Sequence, residues 1–242
     1  MELNIVQMGT VYFDGEPQKI GAQYSFQEIS IGKTVPGMEI QWVRLKNGLL
    51  ISRCCVCKYI SWNSLQKNGF ITGELVELNG ELYLCRCLQA GDEKGIPNEW
   101  DSALDEVGEG QEIWYWKNIY FWGQERSKRS PACGVVRGGY STARRWTTCS
   151  ASAQGTDVGW RPVLEPLTPA PSDYQGLVGT QIIAIGEDKE SVSGLLVSYT
   201  DYDLVIDDTS PAAATYAWMV QDGNRVVVDR ARVRWLRKVA YP

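Results

Sequence analysis

The stretch VVRGGYSTARRWTTCSASAQGTDVGWRPVLEPL, residues 135–167, constrains the fold more than any other part of the chain. It opens on Arg137-Gly138-Gly139 and closes on Gly159-Trp160-Arg161-Pro162. Paired glycines let a backbone turn where a Cβ would clash. Arginine forks tie several carbonyls or carboxylates together in an interior poor in regular ladders. Trp160 fills the core beside them, and Pro162 ends the segment. Arg137, Gly138, Gly139, Gly159, Trp160 and Arg161 are therefore read as structural anchors. Between them, Tyr140 to Gln154 carries small, polar and basic residues with two aromatics, which suits neither a helix nor a simple strand.

The rest of the chain reads as short strands broken by turns. Asn47-Gly48, Asn79-Gly80 and Asp222-Gly223 lie between apolar runs, and such pairs tolerate the positive φ of tight hairpins. SWNSLQKNGF reads as a short helix, capped by Ser61 and stopped at Gly69. NEWDSALDEVGEG reads as an acidic helix capped by Asn98 or Asp101 and ended by Gly108. Trp114, Trp116 and Trp122 recur at spacings of two and six, which is strand-like or irregular rather than helical. The Pro, Ser and Gly of LEPLTPAPSDYQG mark the best linker. The expected organisation is a domain over 1–167, a linker over 168–176 and a domain over 177–242. The closely spaced strands of the last part suggest a small β-barrel. The fold class is α+β and β-rich.

The chain contains no histidine, which removes Ser-His-Asp and Cys-His catalysis and the commonest general base. A net charge of −5 disfavours wholesale nucleic-acid binding by a basic surface. Residues 1–10 show no secretory signal, and no apolar run reaches the length of a membrane span. The seven cysteines are an odd number, so reduced thiols in the cytoplasm of a bacterial host are expected. A virion component assembled there would look the same. Ten Trp against four Phe fits either a Trp-rich interior or exposed platforms for a ligand.

Arg137-Gly138-Gly139-Tyr140, then Ala143-Arg144, then Gly159-Trp160-Arg161 resembles the C-terminal part of the C-type-lectin-like fold of formylglycine-generating enzymes. The variable proteins of diversity-generating retroelements share that fold. PNEWDSALDE, YFWGQE and GWRPVLEPL are most similar to a group of proteins from Firmicutes phages and mobile elements. The resemblance covers residues 1–167 and implies a C-type-lectin-like domain. Its catalytic members use a cysteine pair after the Arg-Gly-Gly step, whereas only Cys149 follows here; its iron-dependent members need three histidines. The resemblance thus implies the fold and a binding role, without the family's chemistry or cofactor. The C-terminal part resembles an Sm-like or SH3-like barrel, with Asp203 near the position where Sm proteins carry an RNA-reading Asn.

Three constellations bear on chemistry. Cys55-Val56-Cys57 and Cys85-Arg86-Cys87 could form a four-thiolate zinc site, but C-x-C within a strand more often buries both thiols on one face. Cys54 would then point to the opposite face. Glu93, Glu99, Asp101, Asp105, Glu106, Glu109 and Glu112 lack an EF-hand spacing, and no metal is assigned to them. Arg230, Arg232 and Arg234 alternate in the final strand, where they would share one face. That stripe fits a nucleic-acid contact or the guarding of a sheet edge.

The expected function is non-catalytic recognition of a host protein, surface ligand or other macromolecule for a phage or mobile element. The expected contact residues are Tyr140, Thr142, Arg144, Arg145, Trp146, Thr148, Ser150 and Gln154, helped by Trp114, Trp116 and Trp122. Tyr, Trp and Arg are enriched at interface hot spots, and small hydroxyl residues supply adaptable hydrogen bonds. The competing reading makes Trp146 a core residue and pairs Arg144 with a carboxylate of 99–112. The alternatives in function are a counter-defence inhibitor, holding a nucleotide or RNA in the second domain, and a thiol or metal-dependent enzyme.

Overall fold

The computed structural model describes residues 3–207 and 216–238, and the chain divides into two compact units, Met1–Pro166 and Leu167–Pro242. The first half of unit 1 contains β1 (Ile5–Gln7), β2 (Thr10–Phe13), β3 (Glu16–Gln18), β4 (Ala22–Gln23), β5 (Ile29–Gly32), β6 (Gln41–Arg44), β7 (Leu50–Ser52), β8 (Cys57–Lys58) and α1 (Trp62–Lys67). The second half contains β9 (Glu74–Leu78), β10 (Glu81–Cys87), α2 (Glu99–Val107), α3 (Gln111–Trp114), β11 (Tyr120–Arg126), β12 (Cys133–Gly138), β13 (Trp146–Ser150), β14 (Val158–Trp160) and β15 (Pro162–Pro166). Strand dominates and helices are few. No helix among the described residues is long and apolar enough to cross a membrane.

Local chemistry explains the boundaries. Ser61 accepts from the Ser64 N–H at 3.0 Å, and Gly69, at φ +78°, ends α1. Of the two candidate caps of α2, Asn98 is the one used: its side chain accepts from the Asp101 N–H at 2.9 Å, and Gly108 closes the helix at φ +92°. Asn79 and Gly80 both take positive φ, so β9 and β10 close into a two-residue hairpin. The Trp-rich stretch departs from the strand-like expectation at its start, because Gln111–Trp114 forms one helical turn before β11 begins.

Unit 1 has two six-stranded sheets, ordered β1-β6-β7-β15-β10-β9 and β13-β12-β11-β14-β8-β4, and a three-stranded sheet, β3-β2-β5. Alternate residues of the central strands enter different cores. Trp42, Leu50 and Leu164 join one apolar cluster, while Val43, Ile51 and Val163 join the other. α2 adds Trp100, Ala103 and Leu104 to the second cluster. Indole N–H groups staple loops to these cores: Trp42 donates to Met8 O, Trp100 to Ala143 O, Trp114 to Gly108 O and Trp122 to Ile60 O.

Three buried arginines organise this interior, Arg86, Arg137 and Arg161. Arg161 is the deepest. Its Nη1 donates to Ser52 O at 2.7 Å and its Nη2 to Trp114 O at 2.6 Å. Its guanidinium lies 4.6 Å from the Phe121 ring centroid and 5.2 Å from that of Trp100. Carbonyl dipoles and π-faces, rather than a carboxylate, surround this charge.

Among the described residues, unit 2 is one seven-stranded sheet, β16-β22-β17-β18-β19-β21-β20, built from β16 (Thr168–Pro169), β17 (Gln181–Gly186), β18 (Ser191–Tyr199), β19 (Asp203–Asp207), β20 (Met219–Asp222), β21 (Arg225–Asp229) and β22 (Val233–Lys238). Period-2 burial is plain: Ile182 and Ala184, Val192 and Leu196, Leu204 and Ile206, and Val226 and Val228 enter one core. The expectation of a barrel is corrected, because among the described residues β16 and β20 end the sheet without pairing. The linker expected over 168–176 is also corrected. Thr168 and Pro169 pair with Leu236 and Trp235, and Tyr174 is buried. Proline misled the reading: it lacks an N–H, yet an edge strand tolerates it.

An Arg161→Lys variant tests the buried guanidinium. A point-charged ammonium cannot bridge Ser52 and Trp114 together, so urea denaturation should show a loss of roughly 2–4 kcal/mol.

Candidate recognition surface

Helix α2 determines which arginines remain available. Arg86 meets Glu99 through a fork of two bonds at 2.8 and 2.6 Å and reaches Glu165 at 2.9 Å. Arg137 pairs with Asp101 and donates to Ala90 O. Arg144 pairs with Asp105 at 2.6 Å and with Glu109. Glu106 accepts from the Lys46 N–H at 2.8 Å. Glu99, Asp101, Asp105, Glu106 and Glu109 thus serve as counter-charge and capping for other parts of unit 1. Among the described residues no three Cys, Asp or Glu side chains converge on a metal-sized point.

With Arg144 engaged, Arg145 is the exposed cation of the segment. Its guanidinium lies 5.6 Å from the Tyr120 ring centroid, and Tyr120 meets Tyr140 edge-on at 6.0 Å. The strand register explains the grouping. Tyr120 pairs with Gly138, and the Gly138 N–H donates to Arg145 O at 3.1 Å, so all three lie in one row across β11, β12 and the start of β13. A Cβ at Gly138 would instead meet the buried Phe121 ring at 3.1 Å. Gly139 sits at φ +102°, and a Cβ there would lie 2.4 Å from the Tyr120 ring. The Arg-Gly-Gly step therefore buries its arginine and clears space for the ring with its second glycine.

The structure brings together part of the expected contact set. Tyr140, Thr142, Arg145, Ser150 and Gln154 are exposed; Arg144, Trp146, Thr148 and Trp116 are half-buried. Trp146 is restrained by an N–H bond to Gly91 O at 2.8 Å, and Trp116 by one to Glu109 O at 2.9 Å. Trp114 and Trp122 are corrected: both are fully buried and present nothing to a partner. The segment is also more regular than its composition implied, since Trp146–Ser150 is the strand β13. Tyr120 was missed. Alternation in YFWGQE places it with Trp122 on one face, but only its pairing with Gly138 reveals that it opens to solvent beside Arg145.

The thiols separate by depth. Cys57, Cys85 and Cys87 enter the first core and Cys55 the second, so Cys55 and Cys57 do not share a face as expected. Regular strand begins only at Cys57, and strict alternation does not reach back to Cys55. Burial pushes the Cys55 thiol up to about 12 and those of Cys57, Cys85 and Cys87 well above the usual range.

The arginine stripe of unit 2 is likewise corrected. Arg230–Arg232 forms a single 3₁₀ turn, begun by Asp229, whose side chain accepts from the Ala231 N–H at 2.9 Å. Arg230 lies 5.0 Å from the Tyr174 ring centroid and donates to Thr200 O at 2.8 Å. Arg234, in β22, pairs with Glu187, and Arg232 is exposed. The three do not alternate along one strand. Asp203 begins β19, and its N–H donates to Thr200 Oγ1 at 2.9 Å.

Comparison of the chain with protein-family models, curated proteins and solved structures found no match.

Two outcomes test this arrangement. Gly139→Ala should destabilise unit 1 by roughly 2–4 kcal/mol in urea, because the new methyl meets both strained backbone and the Tyr120 ring. Brief iodoacetamide labelling of the native protein, followed by mass spectrometry, should modify only the half-buried Cys54, Cys133 and Cys149. Labelling in denaturant should modify all seven cysteines.

Proposed function

We propose that this chain is a non-catalytic recognition protein of a phage or mobile element. In this reading unit 1 is a C-type-lectin-like domain whose 140–154 surface contacts a host protein or other ligand. Unit 2 is a small Sm- or SH3-like module with an open sheet. The protein works in the bacterial cytoplasm or as part of a virion.

The observation that carries the reading is the Tyr140–Tyr120–Arg145 cluster. Two aromatic rings and an exposed guanidinium meet on a rigid sheet, with Thr142, Ser150 and Gln154 exposed nearby. Rigid aromatics with small polar neighbours offer contact area at low entropic cost. Burial of Arg137 and Arg161 supports the anchoring role expected of them. The non-catalytic assignment is supported by the lack of histidine and by the depth of the four C-x-C thiols.

The test is capture of host-lysate partners on immobilised protein, compared with a Tyr140→Ala/Arg145→Ala variant shown to fold by circular dichroism. Loss of about 2 kcal/mol or more, some thirtyfold in affinity, is expected for a hot-spot pair. A partner retained at full affinity by the variant would sink the reading. RNA or nucleotide bound equally by both proteins would move recognition to unit 2.

A further inference from the structure

The edge of the sheet carrying this surface is chemically open. Gly138 N–H donates to Arg145 O, and Ala151 N–H donates to Ala132 O at 3.0 Å. Between these bonds the register runs unbroken from Arg137 opposite Trp146 to Cys133 opposite Ser150. Antiparallel ladders exchange hydrogen bonds at alternate pairs. Arg145, Thr147, Cys149 and Ala151 therefore turn their main-chain groups toward β12, while Trp146, Thr148 and Ser150 turn theirs outward. Among the described residues, no hydrogen bond reaches the main-chain N–H or C=O of Trp146 or Thr148.

Edge strands invite further pairing, and proteins normally blunt them with charge, proline or brevity. The other edges here follow that rule. β9 carries Glu74 and Glu77, β3 carries Glu16 and Pro17, and β16 carries Pro169. β20 ends on Asp222, and β1 and β4 have three and two residues. β5 is four residues long, and its Ile29 N–H is taken by Asn68 Oδ1. β13, Trp-Thr-Thr-Cys-Ser, has five residues with no charge, no proline and no bulge. It begins beside Arg145, which has no carboxylate partner among the described residues, whereas neighbouring Arg144 has two close ones.

We infer that β13 receives an extended segment of a partner protein as an added strand, with an acidic residue of that segment beside Arg145. Main-chain bonds at Trp146 and Thr148 supply the affinity, the Ser150 C=O being taken by the Ala153 N–H at 2.8 Å, and Tyr140 and Arg145 select the residues at one end. The inference rests on the 140–154 recognition reading and gives it a partner class, an extended acidic peptide. Charge decides against a second copy as occupant. Antiparallel self-pairing centred on Thr148 would oppose Arg145 with Ala151 and leave it without a carboxylate.

The probe is a phage-displayed library of short random peptides panned on the immobilised full chain, with selected peptides titrated calorimetrically. Thr148→Pro removes one outward N–H and keeps the bonds to β12, so the variant should fold. The expected result is recovery of β-branched peptides with an acidic residue near one end. Their affinity should fall at least tenfold on Thr148→Pro, and on N-methylation of alternate peptide residues only. Peptides that lose affinity on Tyr140→Ala/Arg145→Ala but not on Thr148→Pro would overturn strand addition and leave the recognition reading standing. Recovery of no peptide, or self-association in sedimentation that Thr148→Pro abolishes, would also overturn it.

Discussion

The interior of unit 1 depends on a positive charge held without a negative one. Arg161 joins Ser52 at the end of β7 to Trp114 at the end of α3, between the faces of Trp100 and Phe121. Burial pulls its guanidinium below the usual value. What compensates is a set of carbonyls and rings fixed by four separate elements. Removing any one leaves a desolvated cation with fewer partners, so these elements are held together by a shared need rather than by pairwise contacts.

Helix α2 extends the same logic toward the surface. It supplies carboxylates in order of depth: Glu99 to buried Arg86, Asp101 to buried Arg137, and Asp105 to half-exposed Arg144. One short acidic helix thereby ties β10, β12 and the start of the recognition segment to a single support. Most of this run of carboxylates, which lacks an EF-hand spacing, is engaged by arginines far away in sequence. Arg145 escapes because the strand row places it over Tyr120, away from α2.

The anchored segment shows how far local reading reaches. Arg137 and Arg161 were legible as interior anchors, since a planar fork beside glycines suits little else. Gly139 was legible as a turn, but its second task of making room for Tyr120 was not, because Tyr120 lies nineteen residues away. The polar middle is exposed at Tyr140, Thr142, Arg145, Ser150 and Gln154 and half-buried from Trp146 to Cys149. Its regular pairing was hidden because Thr and Ser suit an exposed edge strand as well as a loop, and β12 alone decides between them.

Capping chemistry and hairpin turns were determined by the sequence itself. Ser61, Asn98, Gly108 and Asn79-Gly80 act on neighbours within a few residues, so their effect does not wait for the rest of the fold. The β-rich character followed from the density of such turns. Tertiary structure alone decided which tryptophans are interior, which carboxylate each arginine meets and which strand lies at an edge. It separated Cys55 from Cys57 and set Arg230, Arg232 and Arg234 on different paths. The physical reason is common to all of these: burial and pairing are properties of whichever distant segment arrives opposite, and a single residue's chemistry does not specify that neighbour.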